Sequence, residues 1–129
     1  MSINYEMNVL IVDDQKTMLR IIRTLLNQIG FKNVYEATDA NKAIALLKEE
    51  NFGLIISDWN MEPVTGIEFL KIVRASPTHR ALPFIMVTAE SKVENIVAAK
   101  QAGVSNYIVK PFNADTLRAK VEAVLLKAG

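Results

Sequence analysis

The chain has 129 residues, of which 50% are hydrophobic and 22% charged, with a net charge of +1 and no cysteine. This length predicts a single domain over residues 1–129, and the charge balance argues against a dedicated nucleic-acid binder. Disulfides and thiol chemistry are excluded, and no apolar run approaches the roughly 18 residues of a membrane span. The N-terminus lacks the basic start of a signal peptide, so we expect a soluble, cytoplasmic protein without a membrane partner.

Short apolar runs rich in β-branched residues alternate along the chain with longer stretches of helical period. The predicted strands start at Val9, Val34, Leu54, Phe84 and Tyr107. These runs are continuously apolar, as expected for strands covered on both faces. In the first intervening stretch Met18, Ile22, Leu25 and Ile29 share one helical face. Each strand-to-strand interval is about the length of one βα unit. The pattern predicts an α/β fold, a single doubly wound (βα)5 domain with a flavodoxin-like parallel sheet in the order 2-1-3-4-5.

Polar residues stand where four of these strands end. They are Asp13 and Asp14 after the first, Ser57 and Asp58 after the third, Thr88 at the end of the fourth and Lys110 after the fifth. Ligands bind outside the carboxyl ends of strands in an open parallel sheet. Any one of these residues could simply end a strand, but together they predict three carboxylates, a hydroxyl and an ammonium in one crevice.

Such a carboxylate cluster is electrostatically unfavourable by itself. Two like charges ~5 Å apart repel by roughly 3 kcal/mol at an effective dielectric constant of 20. The cluster therefore needs a cation or raised pKa values, and carboxylate oxygens favour Mg²⁺. Mg²⁺ beside a carboxylate nucleophile, a lysine and a hydroxyl is typical of phosphoryl transfer, in which an aspartate forms an acyl phosphate.

At these residues the chain resembles the response-regulator receiver family, and within it the chemotaxis regulators. The matching motifs are Asp13-Asp14, Ser57-Asp58-Trp59-Asn60-Met61, Thr88-Ala89-Glu90, and Tyr107 with Lys110-Pro111-Phe112. Each dipeptide alone is a weak signal. Their order and their positions at strand ends make the resemblance specific, and it extends from Val9 nearly to the end of the chain.

The resemblance implies how the acidic cluster works. Asp58 would accept a phosphoryl group from a sensor histidine kinase. Asp14, Asp58 and the backbone carbonyl of Asn60 would bind Mg²⁺, with Asp13 assisting through water. Self-catalysed phosphoryl transfer and autodephosphorylation would be the only reactions, so the protein is not expected to be an enzyme.

The resemblance also implies a switch. Lys110 would contact the phosphoryl group, and its bond to Pro111 is expected to be cis. The Thr88 hydroxyl would move toward the phosphoryl group, and the Tyr107 ring would follow inward. The side chains of Asn60 and Glu90 would tune dephosphorylation.

The output surface implied by the resemblance is formed by the fourth helix, the fifth strand and the fifth helix. Its predicted contact residues are Ser91, Val93, Ile96, Tyr107, Val109 and Lys120. In the family's chemotaxis members this face meets the flagellar motor switch. The fourth helix has a thin apolar stripe, chiefly Ile96 and Val97, which fits a movable element and fits an ordinary surface helix equally well.

The leading hypothesis is a stand-alone phosphorylation switch without an output domain. Flagellar motor control is the favoured output, and a phosphatase is a further candidate partner. We expect a monomer, with a dimer through the output face as the alternative. A phosphorelay intermediate or phosphate sink is the second hypothesis, and a receiver that binds constitutively is the third. An aspartate-nucleophile phosphatase is a remote hypothesis, because those enzymes carry Asp-x-Asp after the first strand and this chain has adjacent Asp13-Asp14 there. A nucleotide- or flavin-binding module is also disfavoured, because the glycines are too dispersed for a phosphate-binding loop.

One segment departs from the family pattern. Many receivers have a proline after Asp-Trp-Asn-Met and an acidic residue before the glycine, whereas here Glu62 precedes Pro63 and Thr65 precedes Gly66. The extra carboxylate of Glu62 would tighten cation binding, slow access of a phosphodonor or simply face water. The default expectation is that it faces water.

Overall fold

The computed structural model describes residues 3–89 and 93–128, and over these residues strands and helices alternate. The strands are β1 (Asn8–Val12), β2 (Asn33–Ala37), β3 (Leu54–Asp58), β4 (Phe84–Thr88) and β5 (Asn106–Val109). The helices are α1 (Lys16–Ile29), α2 (Ala40–Glu49), α3 (Gly66–Ala75), α4 (Val93–Gln101) and α5 (Ala114–Ala128). Every predicted strand is present and starts at, or one residue before, the predicted position.

The strands form one parallel sheet in the order β2-β1-β3-β4-β5, which confirms the predicted fold. The strand ends are level with one another: Val12 pairs with Ser57, and Thr88 pairs with Val109. Asp58 is the last residue of β3 and pairs with Val87. The carboxyl ends of four strands therefore meet at one edge, where the predicted site residues stand.

Two apolar cores lie on the two faces of the sheet. Because successive side chains of a strand point to opposite faces, Val9 and Ile11 enter the core beneath α1 and α5. Leu10 and Val12 enter the core beneath α2 and α3. All four are at most 1% exposed, and burying a side chain of this size stabilises the fold by about 1.5–3 kcal/mol. This two-sided burial explains why the strands are continuously apolar.

Local capping fixes where the helices begin and end. The Asp39 side chain accepts a hydrogen bond from the Lys42 backbone N–H at 2.8 Å at the start of α2. Gly30 ends α1 with a φ of 130°, a conformation that side chains other than glycine disfavour. Within the described part of the chain, no helix is long and apolar enough to cross a membrane.

Candidate functional site

Three carboxylates converge at the carboxyl edge of the sheet. Asp13 and Asp14 directly follow β1, and Asp58 ends β3, the strand beside it. Each side chain offers one oxygen such that these atoms all lie within 4.8 Å of one another. Asp13 and Asp58 are only 1% and 5% exposed, whereas Asp14 is exposed. The predicted acidic cluster is therefore present, with one member open to solvent.

Lys110 places a positive charge against this cluster. Its Nζ lies 3.0 Å from Asp58 Oδ1 and 3.8 Å from Asp13 Oδ2. The Lys110 backbone N–H donates to the Thr88 carbonyl at 2.7 Å, which fixes the residue just beyond β5. The peptide bond between Lys110 and Pro111 is cis, as the family resemblance implied.

The buried position of Asp13 changes the acidity of its carboxyl group. Burial raises the pKa of Asp13 to about 6. A hydrogen bond from the Gln15 backbone acts in the opposite direction and lowers this pKa, whereas the negative charge of Asp58 raises it further. The Gln15 N–H reaches Asp13 Oδ1 at 2.8 Å, but the buried Oδ2 accepts no hydrogen bond from any described residue. A hard divalent cation would lower the repulsion among these acids. The residues present therefore fit such a cation.

The backbone after Asp58 is held tightly against the sheet. The Trp59 N–H donates to the Val87 carbonyl, and the Gly66 N–H donates to the Trp59 carbonyl, both at 2.9 Å. A Cβ on Gly66 would lie 2.2 Å from the Asp58 carbonyl oxygen, so no larger residue fits there without a backbone shift. Between these anchors, Met61 is 3% exposed and packs into the core. The close approach of Gly66 to the Asp58 carbonyl was not predicted from the sequence.

The start of α3 completes this segment. Thr65 and Glu68 form a reciprocal capping box: the Glu68 N–H donates to Thr65 Oγ1, and the Thr65 N–H donates to the Glu68 carboxylate. These hydrogen bonds from Thr65 lower the pKa of Glu68. The Thr-x-x-Glu spacing is a recognisable helix-start signature that would have located this cap from the sequence.

An open cavity of about 370 Å³ lies beside the acidic cluster. Its lining residues are Asp14, Asn60, Met61, Glu62 and Thr65. Glu62 is exposed, as expected, and its bond to Pro63 is a second cis peptide. That Glu62 shares a cavity with Asp14 was not predicted.

The two predicted switch residues lie on adjacent strands under α4. Thr88 is 5% exposed at the end of β4, and Tyr107 is half-buried in β5. Both line a gap of about 10 Å³, together with Ile96 of α4. Lys120 Nζ lies 5.2 Å from the centre of the Tyr107 ring, within range of a cation–π interaction. A space of this size cannot accept the ring unless a neighbouring group moves.

The rest of the predicted output face is described in part. Ile96, Val109 and Lys120 are half-buried. Glu90 and Ser91 lie outside the described residues, as does the side chain of Val93, whose backbone begins α4.

Known proteins resemble this chain over most of its length. Residues 9–122 match the profile of the response regulator receiver domain. The chain is 47% identical over 122 residues to the chemotaxis protein CheY-3 of Vibrio cholerae, covering 95% of this chain and 94% of the relative. It is 48% identical over 118 residues to the chemotaxis protein CheY of Pseudomonas aeruginosa, covering 92% and 95%. The solved structure of Vibrio cholerae CheY4 matches with a TM-score of 0.88 and 35% identity, covering 93% of this chain and 99% of that one.

Proposed function

Because this chain belongs to the response regulator receiver domain family, we propose that it is a single-domain response regulator that phosphorylation of Asp58 switches. The observation that carries the proposal is the position of Asp58. Its carboxylate is nearly buried, lies within 4.8 Å of the Asp13 and Asp14 oxygens and has Lys110 Nζ at 3.0 Å. A carboxylate nucleophile beside a cation and further acidic ligands supports phosphoryl transfer.

In the proposed reaction, an Asp58 carboxylate oxygen attacks the phosphorus of a phosphohistidine. The new O–P bond forms as the N–P bond breaks, and the imidazole leaves with the bonding electron pair. Lys110, already 3.0 Å from Asp58, would bind a phosphoryl oxygen. Its backbone hydrogen bond to Thr88 anchors the main chain, and the ion pair with Asp58 holds the ammonium at the site, so little reorganisation is needed.

We propose Mg²⁺ as the cofactor. Asp14, Asp58 and the Asn60 backbone carbonyl would hold it, with Asp13 assisting. When bound, Mg²⁺ supplies positive charge that offsets the charge on the phosphoryl oxygens. The three clustered carboxylates support this assignment, as does Asp13 Oδ2, which accepts no hydrogen bond from a described residue. Asn60 and Glu90 are proposed to tune the later hydrolysis of the acyl phosphate.

The proposed switch couples this site to the output face. Thr88 would turn its hydroxyl toward the phosphoryl group, and Tyr107 would move into the space released. The two residues already share the narrow gap under α4. The ring would leave Lys120, and the face formed by α4, β5 and α5 would change shape. This face is proposed to bind the partner through Ser91, Val93, Ile96, Tyr107, Val109 and Lys120.

The proposed output is chemotaxis in the cytoplasm, with a sensor histidine kinase as phosphodonor and a flagellar motor switch protein as target. The names of the relatives, both chemotaxis proteins at 47–48% identity, support this assignment. Binding to a motor-switch peptide in the phosphorylated state alone would distinguish it from a phosphate sink.

The first experiment is incubation with Mg²⁺ and acetyl phosphate, followed by intact mass and Trp59 fluorescence. We expect a Mg²⁺-dependent gain of one phosphoryl group. Asp58→Asn, which keeps the size of the side chain, should gain none while its melting temperature shows that it is folded. A folded wild-type protein that gains no mass and binds no trapped phosphoryl mimic would contradict the proposal. A phosphorylated Asp58→Asn variant would contradict the choice of nucleophile.

A further inference from the structure

Glu62 stands at the opening of the acidic site without a partner of its own. Within residues 3–89 and 93–128, its side chain makes no hydrogen bond or ion pair, and it is exposed. The contrast with Glu68, six residues later, is direct, because the Glu68 carboxylate is used by the Thr65 cap. Among the described residues, no contact of this kind explains a carboxylate at position 62.

The backbone around Glu62 is nevertheless fixed. Buried Met61 precedes it, and the hydrogen bond between Gly66 and Trp59 closes the segment behind it. The cavity of about 370 Å³ that Glu62 lines is also lined by Asp14 and Asn60, two of the proposed Mg²⁺ ligands. A donor that approaches through this cavity therefore passes the exposed Glu62 carboxylate close to Asp14.

Glu62 would act on an approaching phosphodonor through its negative charge. The site holds three carboxylates and one ammonium, and the proposed Mg²⁺ would offset the remaining negative charge. Glu62 therefore adds an uncompensated negative charge in an open, solvated cavity. Repulsion is proportional to the charge of the approaching donor and is screened by salt beyond about 10 Å at 0.1 M. A dianionic donor is opposed twice as strongly as a monoanionic one.

We propose that Glu62 is a specificity-determining residue for the phosphodonor. Its carboxylate disfavours small dianionic acyl phosphates relative to N–P donors whose protonated nitrogen lowers their net negative charge, such as phosphoramidate. This inference rests on the proposed phosphorylation of Asp58.

The test compares two donors at pH 7, acetyl phosphate with two negative charges and phosphoramidate with a net charge of one. Initial rates are measured by intact mass for wild type, Glu62→Gln and Glu62→Lys, at Mg²⁺ concentrations that saturate each protein by Trp59 fluorescence. Glu49→Gln is the matched control, because it removes the same charge from an exposed position at the end of α2, before β3 begins.

At low ionic strength we expect Glu62→Gln to react with acetyl phosphate about two- to fivefold faster, and Glu62→Lys faster still. The gain with phosphoramidate should be about the square root of that factor. In 0.5 M NaCl the gain should fall below about 1.5-fold. Glu49→Gln should match wild type with both donors.

Unchanged rates in Glu62→Gln, equal gains with both donors, or gains that persist in high salt would each overturn the inference and leave the proposed function standing. An equal gain in Glu49→Gln would assign the effect to net charge and also overturn it. A wild-type protein that neither donor phosphorylates would overturn both, so the two failures are distinguishable.

Discussion

Adjacent residues of the acidic site have very different surroundings. Asp13 is buried and Asp14 is exposed, although both follow β1 directly. Their side chains point in different directions as the strand ends, so one lies beside Lys110 and the other faces the open cavity. Asp13 therefore loses most of its hydration on folding, whereas Asp14 stays accessible to solvent.

The raised pKa of Asp13 predicts a defined pH dependence of stability. Because the folded-state pKa is about 6 and the ordinary value 3.8, the native state binds more protons than the unfolded state between these pH values. The free energy of unfolding therefore falls as pH rises through this window, by about 3 kcal/mol from this residue. Asp13→Asn removes the titration, so in metal-free buffer it should gain about that much relative to wild type between pH 4 and pH 7.5.

Urea unfolding at several pH values measures this difference. Asp14→Asn is the control, since it removes the same charge from an exposed position. The prediction would be contradicted if the difference in free energy of unfolding between Asp13→Asn and wild type did not change with pH. It would also be contradicted if the difference between Asp14→Asn and wild type changed with pH to the same extent.

The sequence predicted the convergence of Asp13, Asp14, Asp58 and Lys110, because the ends of neighbouring parallel strands must meet at one edge. It could not predict that Glu62 shares a cavity with Asp14. That placement depends on how the segment after Asp58 folds back, which is determined by tertiary contacts of Met61 and Gly66 rather than by periodicity.

At the scale of elements, α4 differs from the other helices in its anchoring. Helix α1 buries Leu19, Ile22 and Leu26, whereas among the described side chains of α4 only Ala99 is buried. An alanine removes far less apolar surface from water than a leucine. The thin apolar stripe seen in the sequence therefore corresponds to weak anchoring among the described side chains of α4.

This difference predicts local opening of α4 without global unfolding. Amide hydrogen exchange of the unphosphorylated protein should be at least about 100-fold faster in α4 than in the central turns of α1, because few apolar contacts oppose the opening. Exchange resolved to single residues by NMR measures it. Protection of α4 equal to that of α1 would contradict the prediction and weaken the case for a movable output helix.

At the scale of the whole molecule, the binding site and the fold share one edge of the sheet. The carboxylates come from residues 13, 14 and 58, so they assemble only when β1 and β3 are paired. An unfolded chain disperses these ligands and does not hold them within 4.8 Å. Any cation that needs all of them must bind the native state preferentially.

Mg²⁺ should therefore stabilise the protein by mass action. A concentration 100 times the dissociation constant raises the free energy of unfolding by about 2.7 kcal/mol, and the melting temperature of a chain this size by roughly 10 °C. Removal with EDTA should reverse the shift. NaCl at matched ionic strength separates binding from screening of the carboxylates. Asp14→Asn should lose most of the Mg²⁺ effect while keeping the NaCl effect. If NaCl reproduced the full shift in the wild type, the acidic cluster would be screened rather than occupied, and the assignment of Mg²⁺ would be wrong.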